Sequence, residues 1–188
     1  MEIAKTELLT DLEKRIENAF EAAAHLRKES TARLNFRESA NAWSALECIE
    51  HLNRYGEFYI PEITKRMQAG PPQEESGLFK SGWLGNYFAK LMQGKNGHIR
   101  KLKSPSDKNP IHTVLSVSAI DHFTEQLQQT RELLNRARSI DITHTRTAIS
   151  ISKLVTLRLG DTFRFFIYHI ERHLAQAKRA IEHATQAL

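Results

Sequence analysis

Histidine is the residue type in this chain whose spacing could do chemistry. There are nine. His169 and His173 stand four apart in Tyr168-His169-Ile170-Glu171-Arg172-His173-Leu174. On a helix that spacing projects both imidazoles from one face, one turn apart. Two such rings can share a divalent cation at roughly 2.0–2.1 Å per Zn–N bond. A bare H-x-x-x-H is common by chance, so a third ligand matters. His51 is the candidate. It shares a helical face with Trp43, Glu47 and Tyr55 and lies among Leu46, Ile49 and Leu52. An imidazole in that apolar setting needs a partner. If its helix lies against that of His169 and His173, three histidines share one site. Three protein ligands with an open position form a catalytic rather than a structural pattern. His25, His98, His112, His122, His144 and His183 have no ligand-like neighbours and read as incidental.

The elements that must position these residues are helical. Ile3, Leu8, Leu12, Ile16, Phe20 and Ala24 predict a first amphipathic helix over 3–27. Ser44-Ala45-Leu46-Glu47 fits a capping box, with Trp43 and Cys48 at the positions of a hydrophobic staple. A second helix should therefore run from about residue 45 to about Met67, kinked near Pro61. Glu47 is committed to the cap, which makes it an imperfect ligand. Gly70-Pro71-Pro72 breaks the chain. Phe79 to Met92 carries a cluster of aromatic and aliphatic residues that predicts a short extra helix. The rest of 94–108 is a basic loop with Lys95, Arg100, Lys101, Lys103 and Lys108. A third helix is expected over 118–138, capped by Ser116 or Ser118. Residues 139–158 read as an extended connection; one short strand is conceivable there, but no partner for it is evident. Gly160-Asp161 opens a fourth helix whose seam includes Phe163, Phe166, Ile170, His173 and Ala177. The expected fold is all-α, an antiparallel four-helix bundle formed by residues 1–188 as a single domain.

Composition sets the outer bounds. The chain has 188 residues, and its 27 basic and 22 acidic side chains give a net charge of 27 − 22 = +5. Hydrophobic residues make up 40% and charged residues 26%, values of an ordinary globular chain rather than a disordered one. One cysteine, Cys48, excludes an intrachain disulfide and a cysteine-rich zinc site. Cys48 reads as a packed residue rather than a nucleophile. No apolar stretch is long enough to span a bilayer. The start Met1-Glu2-Ile3-Ala4-Lys5 lacks signal-peptide order, so the cytoplasm is the expected location. No serine triad, Walker loop or dinucleotide fingerprint is present. The basic loop lacks interleaved aromatics, so nucleic acid is not an expected partner.

Two segments carry a resemblance. Trp43-Ser44-Ala45-Leu46-Glu47-Cys48-Ile49-Glu50-His51-Leu52 resembles the W-S-x-x-E-x-x-x-H-L start of the second helix in the DinB/YfiT-like superfamily. The stretch from His169 to Gln176 resembles that superfamily's H-x-x-x-H-L-x-Q in its last helix, with Leu159-Gly160-Asp161 as lead-in. The resemblance implies an up-down-down-up four-helix bundle holding a divalent metal through His51, His169 and His173. The resemblance also implies a thiol-dependent transferase or isomerase using a low-molecular-weight thiol; a divalent ion that activates water instead would give a hydrolase. The metal could be zinc, nickel, iron or manganese, since imidazole accepts each. Arg172, beside the ligands, could orient an anionic substrate. The alternative is a non-catalytic, stress-related helical bundle acting as an interaction protein. A homodimer is the expected assembly. The 70–113 segment departs from the compact pattern and is expected to shape access to the metal through Phe79, Trp83, Tyr87 and Phe88 rather than to build the core.

Overall fold

A computed structural model describes residues 1–93 and 103–187. The protein is mostly helical. In chain order the elements are β1 (Glu2–Ala4), α1 (Lys5–Leu26), α2 (Thr31–Asn35), α3 (Ala45–Gln68), β2 (Leu78–Lys80), α4 (Trp83–Gln93), a single 3₁₀ turn (Ser106–Lys108), α5 (Ser118–Ala137), β3 (Arg146–Ile149), β4 (Ser152–Arg158) and α6 (Leu159–Ala187). Helix α1 packs along α5 and α6, and α3 also packs along α5 and α6. The apolar stripes of these four long helices meet in a shared core that includes Leu12, Ile16, Ile49, Phe123, Leu127 and Phe163. Removal of such apolar surface from water is the main force holding the helices together.

The start of α3 follows its sequence signal. The Ser44 hydroxyl accepts from the Glu47 backbone N–H at 3.2 Å, and the Glu47 carboxylate accepts from Ser44 N–H at 2.8 Å. Helix α3 then continues past Pro61 to Gln68. Glu47 also receives a two-pronged contact from Arg37, at 2.7 and 2.8 Å, and the backbone N–H of His112 at 2.5 Å. Burial alone would raise the Glu47 carboxyl. The Arg37 guanidinium and the two backbone donors outweigh it and hold the group below its ordinary value.

Several local expectations are corrected. The first helix starts at Lys5, because Glu2–Ala4 pairs antiparallel with Leu78–Lys80 and sets Ile3 opposite Phe79. That pairing also delays the aromatic helix to Trp83. Between α1 and α3, where the sequence shows only a polar stretch, lies α2, capped by Ser30, whose Oγ accepts from Arg33 N–H. No serine side chain caps the first residue of α5; Val117 holds that position, and Ser116 Oγ instead accepts from Ser118 N–H. The 139–158 connection contains an antiparallel hairpin whose strand partner lies within the same segment, with Thr147 opposite Leu157. Its connection, Ser150-Ile151, lacks the Asn-Gly or Gly-X pattern that marks tight hairpins. The 70–113 segment also helps build the core: Phe79 is fully buried and joins Ala89 and Met92 in the core cluster.

Helix α4 is pinned to α6 by a buried polar cluster. Asp161 accepts from Ser81 Oγ at 2.5 Å, from Gly82 N–H at 2.8 Å and from Arg164 at 3.0 Å. Arg164 also donates to Asn86 Oδ1 at 3.1 Å. Both charges of the Asp161–Arg164 pair are almost wholly removed from water, and these added hydrogen bonds compensate that desolvation. Among the described residues, no helix is long and apolar enough to cross a membrane.

Candidate metal centre

Helix α3 delivers His51 and helix α6 delivers His169 and His173 to one place. Their exposures are 3%, 5% and 8%, so all three rings are buried. Their potential ligand atoms lie within 4.8 Å of one another. His51 Nε2 stands 3.2 Å from His169 Nε2. Two ligands of one tetrahedral ion, with bonds of about 2.0–2.1 Å, would stand roughly 3.3–3.4 Å apart. The separation of these two nitrogens therefore matches that of two ligands to a common ion.

Hydrogen bonds orient two of the rings for this task. His51 Nδ1 donates to the Lys108 carbonyl at 2.6 Å. His173 Nδ1 donates to Gln176 Oε1 at 3.0 Å. A neutral imidazole with its proton on Nδ1 presents its lone pair on Nε2. Outer partners of this kind set the tautomer and aim of histidine ligands. In the metal-free tautomers, the His169 Nε2 proton can be donated to His51 Nε2. His169 Nδ1 then has no partner among the described residues, although it is buried. The donor set and its neutrality fit a divalent ion held through the Nε2 atoms.

Burial fixes the charge state. It pushes His51 down to about 4 and His173 down to about 3, and it moves His169 well below its ordinary value. His173 and His51 also disfavour charge on His169, His51 does so on His173, and the Arg172 guanidinium acts the same way on all three. At neutral pH all three imidazoles are neutral and able to act as ligands.

A cavity of about 290 Å³ opens over the histidines. Trp43 forms part of its wall, with ring centroids 4.7 Å from His51 and 5.7 Å from His173. The Trp43 indole N–H donates to Asn109 Oδ1 at 3.1 Å. Tyr55 leans on His169 at 4.5 Å and on His51 at 4.9 Å. Phe165 stacks on His169 at 5.9 Å with an 11° interplanar angle. From the segment expected to provide an aromatic wall, Phe88 does line the cavity. Trp83 and Tyr87 face outward at 83% and 55% exposure, and Phe79 packs against Gly160 in the core.

The staple position of Trp43 does not by itself place it against the histidines, and the roles of Tyr55, Phe165, Gln176 and the Lys108 carbonyl come from the fold. Gln176 lay inside the quoted H-x-x-x-H-L-x-Q stretch and could have been found there. A backbone acceptor 57 residues away leaves no sequence signal. Among the described residues, other histidines are engaged away from the three: His144 meets Asp141 at 2.7 Å, His183 lies 3.6 Å from Glu38, and His122 contacts Gln126. His98 and the basic residues Lys95, Arg100 and Lys101 lie outside the described residues. Cys48 is buried, and burial pushes its thiol up, so it is packed as expected and unsuited to attack.

Comparisons with curated proteins and with solved structures return no match. The sequence profile of the DinB superfamily matches residues 9–177, which takes in all three histidines, the whole of α3 and α5, and most of α1 and α6. On that match, as on the two motifs and the helical fold that carries them, the chain belongs to the DinB superfamily.

Proposed function

We propose that this protein is a divalent-metal-dependent enzyme whose ion is held by His51, His169 and His173 and acts on a small molecule in the cavity above them. The observation that carries the reading is the convergence of three neutral, buried imidazoles from two helices onto the floor of a cavity large enough for a reactant. When bound, a divalent ion with an open position supplies Lewis acidity and lowers the pKa of a thiol or water. The protein's own residues do the rest. Lys108 and Gln176 hold the His51 and His173 tautomers. Trp43, Tyr55 and Phe165 exclude water from the rings they cover. A thiol-dependent transfer or isomerisation, or a hydrolysis, fits this arrangement.

The same reading places the four long helices in an up-down-down-up order. A parallel pair needs a long return connection, and about fifty residues separate the end of α3 from the start of α5. The packing of both α1 and α3 against α5 and α6 supports a four-cornered bundle.

The test is reconstitution of untagged protein with zinc, nickel, iron or manganese, followed by a screen for thiol transfer to electrophiles and for hydrolysis. Metal-dependent turnover that is lost in His169→Ala supports an enzyme. Stoichiometric metal without turnover in either screen would favour the interaction-protein reading.

A further inference from the structure

We infer that the cavity over the histidines selects a small organic anion with an apolar body, the anionic group seated at the histidine floor and the body held between α4 and the β3–β4 hairpin. This rests on the reading of His51, His169 and His173 as a divalent-metal site and adds the charge and shape of the molecule that joins the ion.

The charge follows from what surrounds the floor. Three neutral imidazoles contribute no negative charge to a bound divalent ion. Among the described residues, the cavity lining contains two cations, Lys103 and Arg172, and no Asp or Glu. The acidic side chains nearest the three histidines in sequence are engaged elsewhere. Glu47 binds Arg37 and two backbone N–H groups, Glu50 binds Arg54, and Glu171 binds Arg15. A divalent ion would therefore keep its full charge inside a wall of low polarity, where an uncompensated charge is most costly. A ligand carrying its own negative charge relieves this; a neutral isostere does not.

The shape follows from the walls. Phe88 and Met92 come from α4, Ile149 and Leu157 from the hairpin, and Phe165 from α6. Of the wall's polar atoms, the Tyr59 hydroxyl accepts from Ser150 N–H at 3.3 Å and lies 3.5 Å from Ser150 Oγ, and Ser104 Oγ donates to the Pro105 carbonyl. Such a surface offers little to an inorganic anion beyond the floor and much to an aromatic or branched aliphatic group. A volume of about 290 Å³ sits at the small end of ligand pockets, which excludes a polymer and suits a molecule with roughly one ring and a short chain.

The experiment uses full-length Trp83→Phe protein, in which Trp43 is the remaining tryptophan and touches two of the histidine rings. Trp83 is exposed and does not line the cavity, so this change is silent for the site. The protein is loaded with zinc, its metal content is measured, and Trp43 fluorescence is titrated with 3-phenylpropionate, 3-phenylpropionamide and acetate. The expected result is saturable binding of 3-phenylpropionate at least about tenfold tighter than of the amide or of acetate. Phe88→Ala, at a half-buried position, should weaken 3-phenylpropionate and leave acetate unchanged. Arg172→Gln should narrow the gap between acid and amide. Retained zinc with the amide binding as well as the acid, or acetate as well as 3-phenylpropionate, overturns this inference and leaves the metal reading intact. Failure to take up zinc and likewise nickel, iron and manganese, each read before any ligand is added, overturns the metal reading and this inference with it.

Discussion

His51 Nδ1 donates to the backbone carbonyl of Lys108 at 2.6 Å, across 57 residues of sequence. The contact turns the loop before α5 into part of the candidate metal centre. The same loop gives Asn109 to the Trp43 indole, the Lys108 ammonium to the Arg54 carbonyl at 2.8 Å, and the His112 N–H to Glu47. His112 adopts a positive φ of 65° to do so, a conformation uncommon outside glycine. The head of α3 is thus held from both sides, by its own capping box and by this loop.

Gln176 plays the matching part for His173 from the same helix, one turn on. Gln176→Ala should lower metal affinity by about 10–100-fold, the usual cost of losing an outer partner of a histidine ligand. Competition against a chelating dye measures it, with circular dichroism as the check on folding. Unchanged affinity would remove Gln176 from the site.

Ser44 acts on the fold. Ser44→Ala removes the acceptor for the Glu47 N–H and should cost roughly 0.5–2 kcal/mol in denaturant unfolding. Metal content at saturating ion should not change. Loss of activity without loss of stability or metal would require a chemical role for this hydroxyl.

Acid should destabilise the metal-free protein earlier than its carboxylates alone would. Unfolded, each imidazole protonates near 6.5; folded, burial delays this to about 4 for His51 and about 3 for His173. Between those values the unfolded chain binds more protons, so stability is full above about pH 6.5 and falls as pH drops toward 3. Thermal unfolding in chelator should show the decline already above about pH 5, before ordinary carboxylates titrate. A flat profile from pH 6.5 to 5 would contradict the neutral, buried assignment.

Gly85 lies where α4 meets the Asp161 cluster, and a Cβ there would overlap the Asp161 side chain. Asp161 cannot move aside without breaking its bonds to Ser81, Gly82 and Arg164. Gly85→Ala should therefore cost about 1–3 kcal/mol, as overpacking of a buried contact does. It should also shift the Phe88 wall, which the ligand titration would register. A variant as stable as the parent would show that the cluster is looser than its geometry.

The four long helices and the three histidines were readable because each has a local signature: a stripe at helical period, a capping box, a four-residue histidine spacing. What the sequence did not reveal depends on partners far away along the chain. Ile3 becomes a strand residue because Phe79 pairs with it. The Ser152–Arg158 strand finds its partner across a turn without glycine or asparagine. Trp43 reads as a staple residue from its position before Ser44, and only the approach of α6 puts it against His173. Periodicity likewise could not tell which aromatic residues near α4 face the cavity, since Phe88 and Tyr87 are sequence neighbours with opposite fates.

The most direct test of the central claim is the metal content of untagged wild-type protein and of His51→Ala, measured by elemental analysis after exposure to a mixture of divalent ions. The account predicts one ion per chain in the wild type and a sharp loss in the variant, with helical content retained in both. A folded His51→Ala protein that still holds one ion per chain, or a wild type that holds none, would contradict it.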